Sequence, residues 1–192
     1  ARLGVLRAGA FGDFGFLAGE DVAQHEAAPS LHGGHVVEAE RRRAALLDML
    51  AADIKDASVI EFFAGTGAIG LEAISRGARR CDFIETRPSS LHALKANVAL
   101  LRMKLRTRIF KKDAVPFAAQ LGEDAYDIAF ADPPYGSRML DHVIKAWMEK
   151  RFSRILAVEH ERTHSLPKGD ETRTFDDTTI TIYRRAATPA PS

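Results

Sequence analysis

Apolar residues recur along this chain in short unbroken runs, each stopped by glycine, proline or an acid, with helix-like spacing between them. Short apolar runs bounded by breakers predict buried strands, and apolar positions three or four apart predict helices. Strands are therefore expected at 57–62, 81–85, 107–110, 126–131 and 154–159. Helices are expected over 38–50, from the turn after Phe62 to Gly77, along the stripe Leu91, Leu94, Val98 and Leu101, and over 115–121 and 139–150. Segments 171–175 and 178–184 flank Asp176-Asp177 and read as a hairpin. Strand–helix alternation closed by a hairpin specifies an α/β fold, a mainly parallel sheet with helices on both faces.

The pattern also divides the chain. Residues 1–35 show neither clean period; Gly9 to Phe16 is rich in glycine and aromatics, and Gly33-Gly34 marks a break. This part is expected to be an N-terminal extension, a small hairpin or a loop over the site. Residues 36–185 form the main domain and 186–192 a frayed tail.

Composition adds bounds. The chain is 46% apolar and 28% charged, as in a soluble globular protein, and no apolar run approaches the ~20 residues that span a bilayer. No membrane association or signal segment is expected. The single cysteine, Cys81, excludes an internal disulfide and fits a reducing, cytoplasmic setting. The seven histidines lack metal-ligand spacing, so no metal is expected. A net charge of +1 means that a nucleic-acid partner must be held by a local basic patch. Arg102, Lys104, Arg106, Arg108, Lys111 and Lys112 supply one, whereas Arg41-Arg42-Arg43 reads as a solvated helix face.

Chemistry concentrates where strands end. The run 126–131 stops at Asp132-Pro133-Pro134-Tyr135, and proline cannot continue a sheet ladder. An acid, a rigid backbone and an aromatic ring are thereby held at the carboxyl edge of a strand, where ligands bind in open α/β sheets. Asp132 suits one hydrogen of an exocyclic amine, a Pro133-Pro134 carbonyl the other, and Tyr135 a stacked base, worth roughly 1–3 kcal/mol. Such a grip draws the nitrogen lone pair out of conjugation and makes it nucleophilic.

The first strand leads into Glu61-Phe62-Phe63-Ala64-Gly65-Thr66-Gly67-Ala68-Ile69-Gly70, a G-x-G-x-x-G turn, and Glu85 ends the second strand within reach of ribose hydroxyls. This spacing fits a nicotinamide dinucleotide and S-adenosylmethionine (SAM) equally. Three features favour SAM. Glu61 suits its cationic methionine end, Asp113 follows the third strand and suits the adenine amine, and a hydride-transfer site has no use for Asp132-Pro133-Pro134-Tyr135. Phe63, Ala64, Thr66, Thr86 and Ala114 complete the cofactor set.

Together these motifs resemble class I SAM-dependent methyltransferases that act on amines. Residues 62–78, with Phe83-Ile84-Glu85, Ala131 to Tyr135 and Phe175-Asp176-Asp177-Thr178, resemble the RsmD family, which methylates guanine N2 in 16S ribosomal RNA. The resemblance runs from about Arg41 to Arg184. It implies a Rossmann-like class I methyltransferase fold with a seven-stranded sheet, and a monomer acting on ribosomal RNA or the small ribosomal subunit. It also implies that Glu61, Gly65, Gly67, Glu85 and Asp113 hold SAM while Asp132, Pro133 and Tyr135 hold the base. Two features depart from the family pattern: residues 1–35 carry only Arg2 and Arg7 as bases, and Glu61 stands where the family prefers Asp. Alternative readings are adenine N6 methylation, a non-catalytic SAM- or RNA-binding module, and a dinucleotide oxidoreductase.

Overall fold

Continuous apolar runs, rather than alternating ones, are the mark of strands covered on both faces. In the computed structural model, which describes residues 32–134 and 136–185, those runs become β1 (Ser58–Phe62), β2 (Arg80–Glu85), β3 (Thr107–Lys111), β4 (Tyr126–Ala131) and β5 (Ser153–Glu161). All five are parallel. The hairpin β6 (Glu171–Thr174) and β7 (Thr178–Arg184) joins antiparallel to β5, giving the order β3-β2-β1-β4-β5-β7-β6. The expected seven-stranded, mainly parallel sheet is therefore present. Strand order reverses between β1 and β4, the switch point at which open α/β sheets bind ligands.

Among the described residues six helices cover the sheet: α1 (His32–Met49), α2 (Ala51–Ile54), α3 (Ala68–Ser75), α4 (Pro88–Leu100), α5 (Ala114–Gln120) and α6 (Met139–Lys150). Leu46 and Leu47 of α1, Leu50 just after it, Leu71 and Ile74 of α3, and Leu94 and Val98 of α4 pack on Val59, Phe83 and Phe130. On the other face Ala118 of α5 and Val143, Ile144 and Trp147 of α6 pack on Ile60, Ile84 and Leu156.

Three local differences from the sequence reading have simple causes. Helix α1 runs through Gly33-Gly34, so the expected break is absent and the expected boundary at residue 36 falls inside a helix. Glycine costs a helix about 1 kcal/mol but removes no hydrogen bond. A 3-10 turn, Lys104–Arg106, precedes β3. Phe175 leaves β6, and its N–H donates instead to the Thr178 carbonyl (2.8 Å). The expectations for residues 1–31, Tyr135 and the tail 186–192 lie outside the described residues.

Polar contacts of two buried acids fix the sheet beneath the site. Buried Asp82 accepts from Arg108 Nε (2.8 Å) and from the Tyr126 hydroxyl (2.7 Å), tying β2 to β3 and β4. Buried Glu61, at the end of β1, accepts the Gly70 N–H of α3 (2.8 Å). A Cβ on Gly70 would lie 2.7 Å from both Glu61 Oε2 and Phe83 Cε1, and would also strike Cys81 Sγ. Only a glycine lets α3 approach β1 this closely. Burial pushes the Glu61 carboxyl up to about 8, against the help of the Gly70 N–H.

Replacing Gly70 by Ala should cost about 1–3 kcal/mol through overpacking, read as a lowered midpoint in urea. Glu61 holds its proton in the fold up to about pH 8 but releases it near 4.5 when unfolded. Its contribution is therefore complete below 4.5, declines as pH rises through that window and is lost above about 8. Glu61→Gln keeps an acceptor for Gly70 without the titration, so its melting temperature should fall less than the wild type's between pH 5 and pH 8. Parallel curves would contradict this assignment.

Candidate active site

Side chains alternate faces along a strand, and paired parallel strands keep that alternation in step. Glu61 is paired with Phe83 and with Phe130, and Phe130 with Ala157. Two residues beyond those partners stand Glu85, Asp132 and Glu159, so all four carboxylates lie on the face covered by α1, α3 and α4. They border a cavity of about 640 Å³ at the switch point.

One end of the cavity is the glycine turn. Glu85 accepts the N–H groups of Thr86 (2.7 Å) and Arg87 (2.8 Å) on Oε1, and that of Gly65 (2.8 Å) on Oε2. Most of its accepting capacity thus shapes the turn, leaving one lone-pair direction on Oε2 for a ribose hydroxyl. Phe63 takes a left-handed backbone conformation (φ 57°), an uncommon state for a non-glycine residue. Phe63, Ala64, Gly65, Thr66, Thr86 and Ala114 all line the cavity. Gly67 instead faces the helix layer: at φ 77°, a Cβ there would lie 3.2 Å from Phe83 and collide with Leu94. Asp113 caps α5 by accepting the Val115 N–H (3.0 Å) and also borders the cavity.

The other end holds Asp132, Pro133 and Pro134, whereas Tyr135 lies outside the described residues. Asp132 presents surface to the cavity yet is ringed by protein. Burial pushes its carboxyl up to about 7, the charge of Glu159 adds to this, and Arg42 opposes it. Arg42, from α1, donates through Nε to Glu159 Oε1 (2.7 Å), and both line the cavity with Met139.

Arg42, Glu159 and Met139 do not figure among the site residues read from sequence. An acid closing the fifth strand carries the same signal as Glu61, Glu85 and Asp132, so Glu159 was findable. Arg42 was not, because nothing local separates it from its neighbours. Arg41 pairs with Glu38 (3.5 Å), whereas Arg43 pairs with Glu72 (2.7 Å), so a presumed solvated face is an anchoring one.

The basic patch divides similarly. Arg108 grips Asp82, and Arg106 donates to the carbonyls of Ile74 (3.3 Å) near the end of α3 and of Ala78 and Arg79 (3.2 Å) just after it. Arg102, Lys104, Lys111 and Lys112 stand exposed along the edge around β3, and Lys112 also borders the cavity.

The site can grip a nucleoside at the glycine turn and present a second flat group to Asp132. No group of His, Cys, Asp and Glu fit for a metal occurs among the described residues, and no helix there is long and apolar enough to cross a membrane.

Comparison with known proteins places this arrangement. The chain is 34% identical over 133 residues to ribosomal RNA small subunit methyltransferase D of Escherichia coli K12, covering 67% of this chain and 65% of that protein. The aligned part thus spans just under two-thirds of that relative's length. The methyltransferase D of Buchnera aphidicola from Acyrthosiphon pisum is 29% identical over 129 residues, covering 65% of this chain and 66% of that protein. The solved structure of the candidate methyltransferase yhhF from E. coli superposes with a TM-score of 0.69 at 30% identity, over 78% of this chain and 86% of that one. An RNA methyltransferase from Salinibacter ruber, solved with S-adenosyl-L-homocysteine, shares the fold alone, with a TM-score of 0.61 at 11% identity over 80% of this chain and 95% of that one. The family model described as conserved hypothetical protein 95 matches residues 38–183, most of the chain, and the protein belongs to this family, the RsmD family.

Proposed function

We propose that this protein transfers a methyl group from SAM to the exocyclic N2 amine of a guanine in small-subunit ribosomal RNA. The observation that carries the reading is a single cavity running from the glycine turn to Asp132-Pro133-Pro134. The name borne by the E. coli relative supports the RNA class, and the S-adenosyl-L-homocysteine held by a protein of the same fold supports the cofactor.

The residues present fit SAM. Glu85 and Asp113 offer acceptors for ribose and adenine, while Phe63, Ile84 and Ala114 give apolar walls. Glu61 would take the cationic methionine end, and a cation there would favour its ionised form. When bound, SAM supplies an activated methyl on sulfur. The protein's part is alignment and exclusion of water. Asp132 accepts one amine hydrogen and a carbonyl of the Pro133-Pro134 turn accepts the other; as the N–CH3 bond forms and the S–CH3 bond breaks to leave the neutral thioether, Asp132 balances the positive charge on nitrogen and takes the proton that the amine loses. A base within a duplex cannot reach this depth, so the target is single-stranded or flipped out. Arg102, Lys104, Lys111 and Lys112 hold the phosphate backbone.

The test is nucleoside mass spectrometry of unmodified 16S RNA, free and in small subunits, after incubation with protein and SAM. N2-methylguanosine is the expected product; N6-methyladenosine, or SAM binding with no methylated nucleoside, would overturn the reading. Asp132→Ala should lower the rate by about 10²–10⁴-fold and leave SAM affinity nearly unchanged in calorimetry. Because Asp132 works ionised and its carboxyl sits near 7, the wild-type rate should rise with pH through about 7. Lys104→Glu with Lys111→Glu should weaken RNA binding on every sequence and flatten the salt dependence by roughly one unit of slope per charge. An unchanged slope would remove this edge from the RNA contact.

A further inference from the structure

We infer that Glu159 and Arg42 form the base-reading end of the cavity and select guanine over adenine, an inference resting on the amine-methylating function proposed above. Ala131 is paired with Val158, so the next residues, Asp132 and Glu159, are neighbours across β4 and β5. Strand spacing puts their backbones about 4.8 Å apart, with both side chains on the α1 face. Arg42 reaches the same wall and is bound to Glu159 at 2.7 Å. The pair is largely removed from water, with 16% of the Arg42 side chain and 9% of the Glu159 side chain exposed.

Anchoring α1 does not require this. Leu46, Leu47 and Leu50 are already buried, and the Arg43–Glu72 pair ties α1 to α3. Withdrawing two charges from water at a cavity wall is costly, and substrate recognition accounts for their position.

The set of groups at the wall matches one base. The pairing edge of guanine presents O6, an acceptor, then N1–H and the N2 amine, both donors. Its complement is a cation and two carboxylates, and the wall offers Arg42, Glu159 and Asp132. Adenine presents an amine donor beside an unprotonated N1. With its amine on Asp132, adenine would set the N1 lone pair against the carboxylate of Glu159, a lone pair against an anion where guanine offers a donor. Sites built to bond a particular polar group reject analogues lacking it far more strongly than sites that read shape.

The measurement uses 16S RNA carrying, at the mapped target position, either guanine or 2,6-diaminopurine. The analogue keeps the 2-amine but has an acceptor at N1 and an amine at C6. Wild-type protein should methylate guanine with a kcat/KM at least about 100-fold higher. Glu159→Gln retains an oxygen for Arg42 and offers an N–H to N1 of the analogue, so it should shrink the ratio roughly tenfold at unchanged SAM affinity. If Glu159→Gln fails to bind SAM, Arg42→Lys serves as the second variant, and it should narrow the ratio several-fold by losing the fork that holds Glu159. Wild-type methylation of both bases at similar rates, or equal loss on both in the variants, would overturn the inference and leave the reaction standing. Absence of N2 methylation on guanine by the wild-type protein would instead bring down the reaction, and this inference with it.

Discussion

In a parallel sheet, neighbouring strands keep their pleats in step, and the rest of this site depends on that constraint. Because Glu61, Phe83, Phe130 and Ala157 share a level on four adjacent strands, the acids at or just past that level emerge on one face. A slip of one residue in any strand would turn its acid toward α5 and α6, away from the cavity. Register is therefore the first determinant of the site's chemistry. The buried Asp82 contacts with Arg108 and Tyr126, which tie β2, β3 and β4 together, serve that register directly.

Four acids at one sheet edge repel one another, and each is accommodated differently. Glu85 is neutralised by backbone donors from its own turn and from Gly65. Glu61, sealed against Gly70, keeps its proton at neutral pH. Asp132 and Glu159 stand side by side with Arg42 near both. The cavity thus grades from a dipolar end, suited to a nucleoside, to an ionic end that reads a charged or polar edge.

Much of this was legible because it was local. Strand runs, breakers and acids at strand ends lie in continuous stretches, and the structure brings Glu61, Phe63 to Thr66, Glu85, Thr86, Asp113, Ala114 and Asp132 to Pro134 around one cavity. What escaped was side-chain pairing across long separations. Arg106 and Arg108 look like neighbouring phosphate contacts in sequence, yet one caps the carbonyls ending α3 and the other grips Asp82. Arg42 finds its partner 117 residues away. Gly67 reads as a ligand-approach glycine but accommodates Leu94 and Phe83. Composition and spacing report which residues are present, not which pair will close when helices settle on a sheet.

That long-range pair also orders the assembly of the molecule in time. The Glu61–Gly70 contact spans 9 residues and the Gly65–Glu85 contact 20, so both partners of each are made early in synthesis. Arg42 must wait for Glu159 to be made; at roughly 5–20 residues per second the interval is on the order of ten seconds. A nascent chain thus holds the partners that shape the glycine turn well before it holds those of the wall beside Asp132. Until β5 is made, the wall beside Asp132 lacks Glu159 and the cavity stays incomplete at that end.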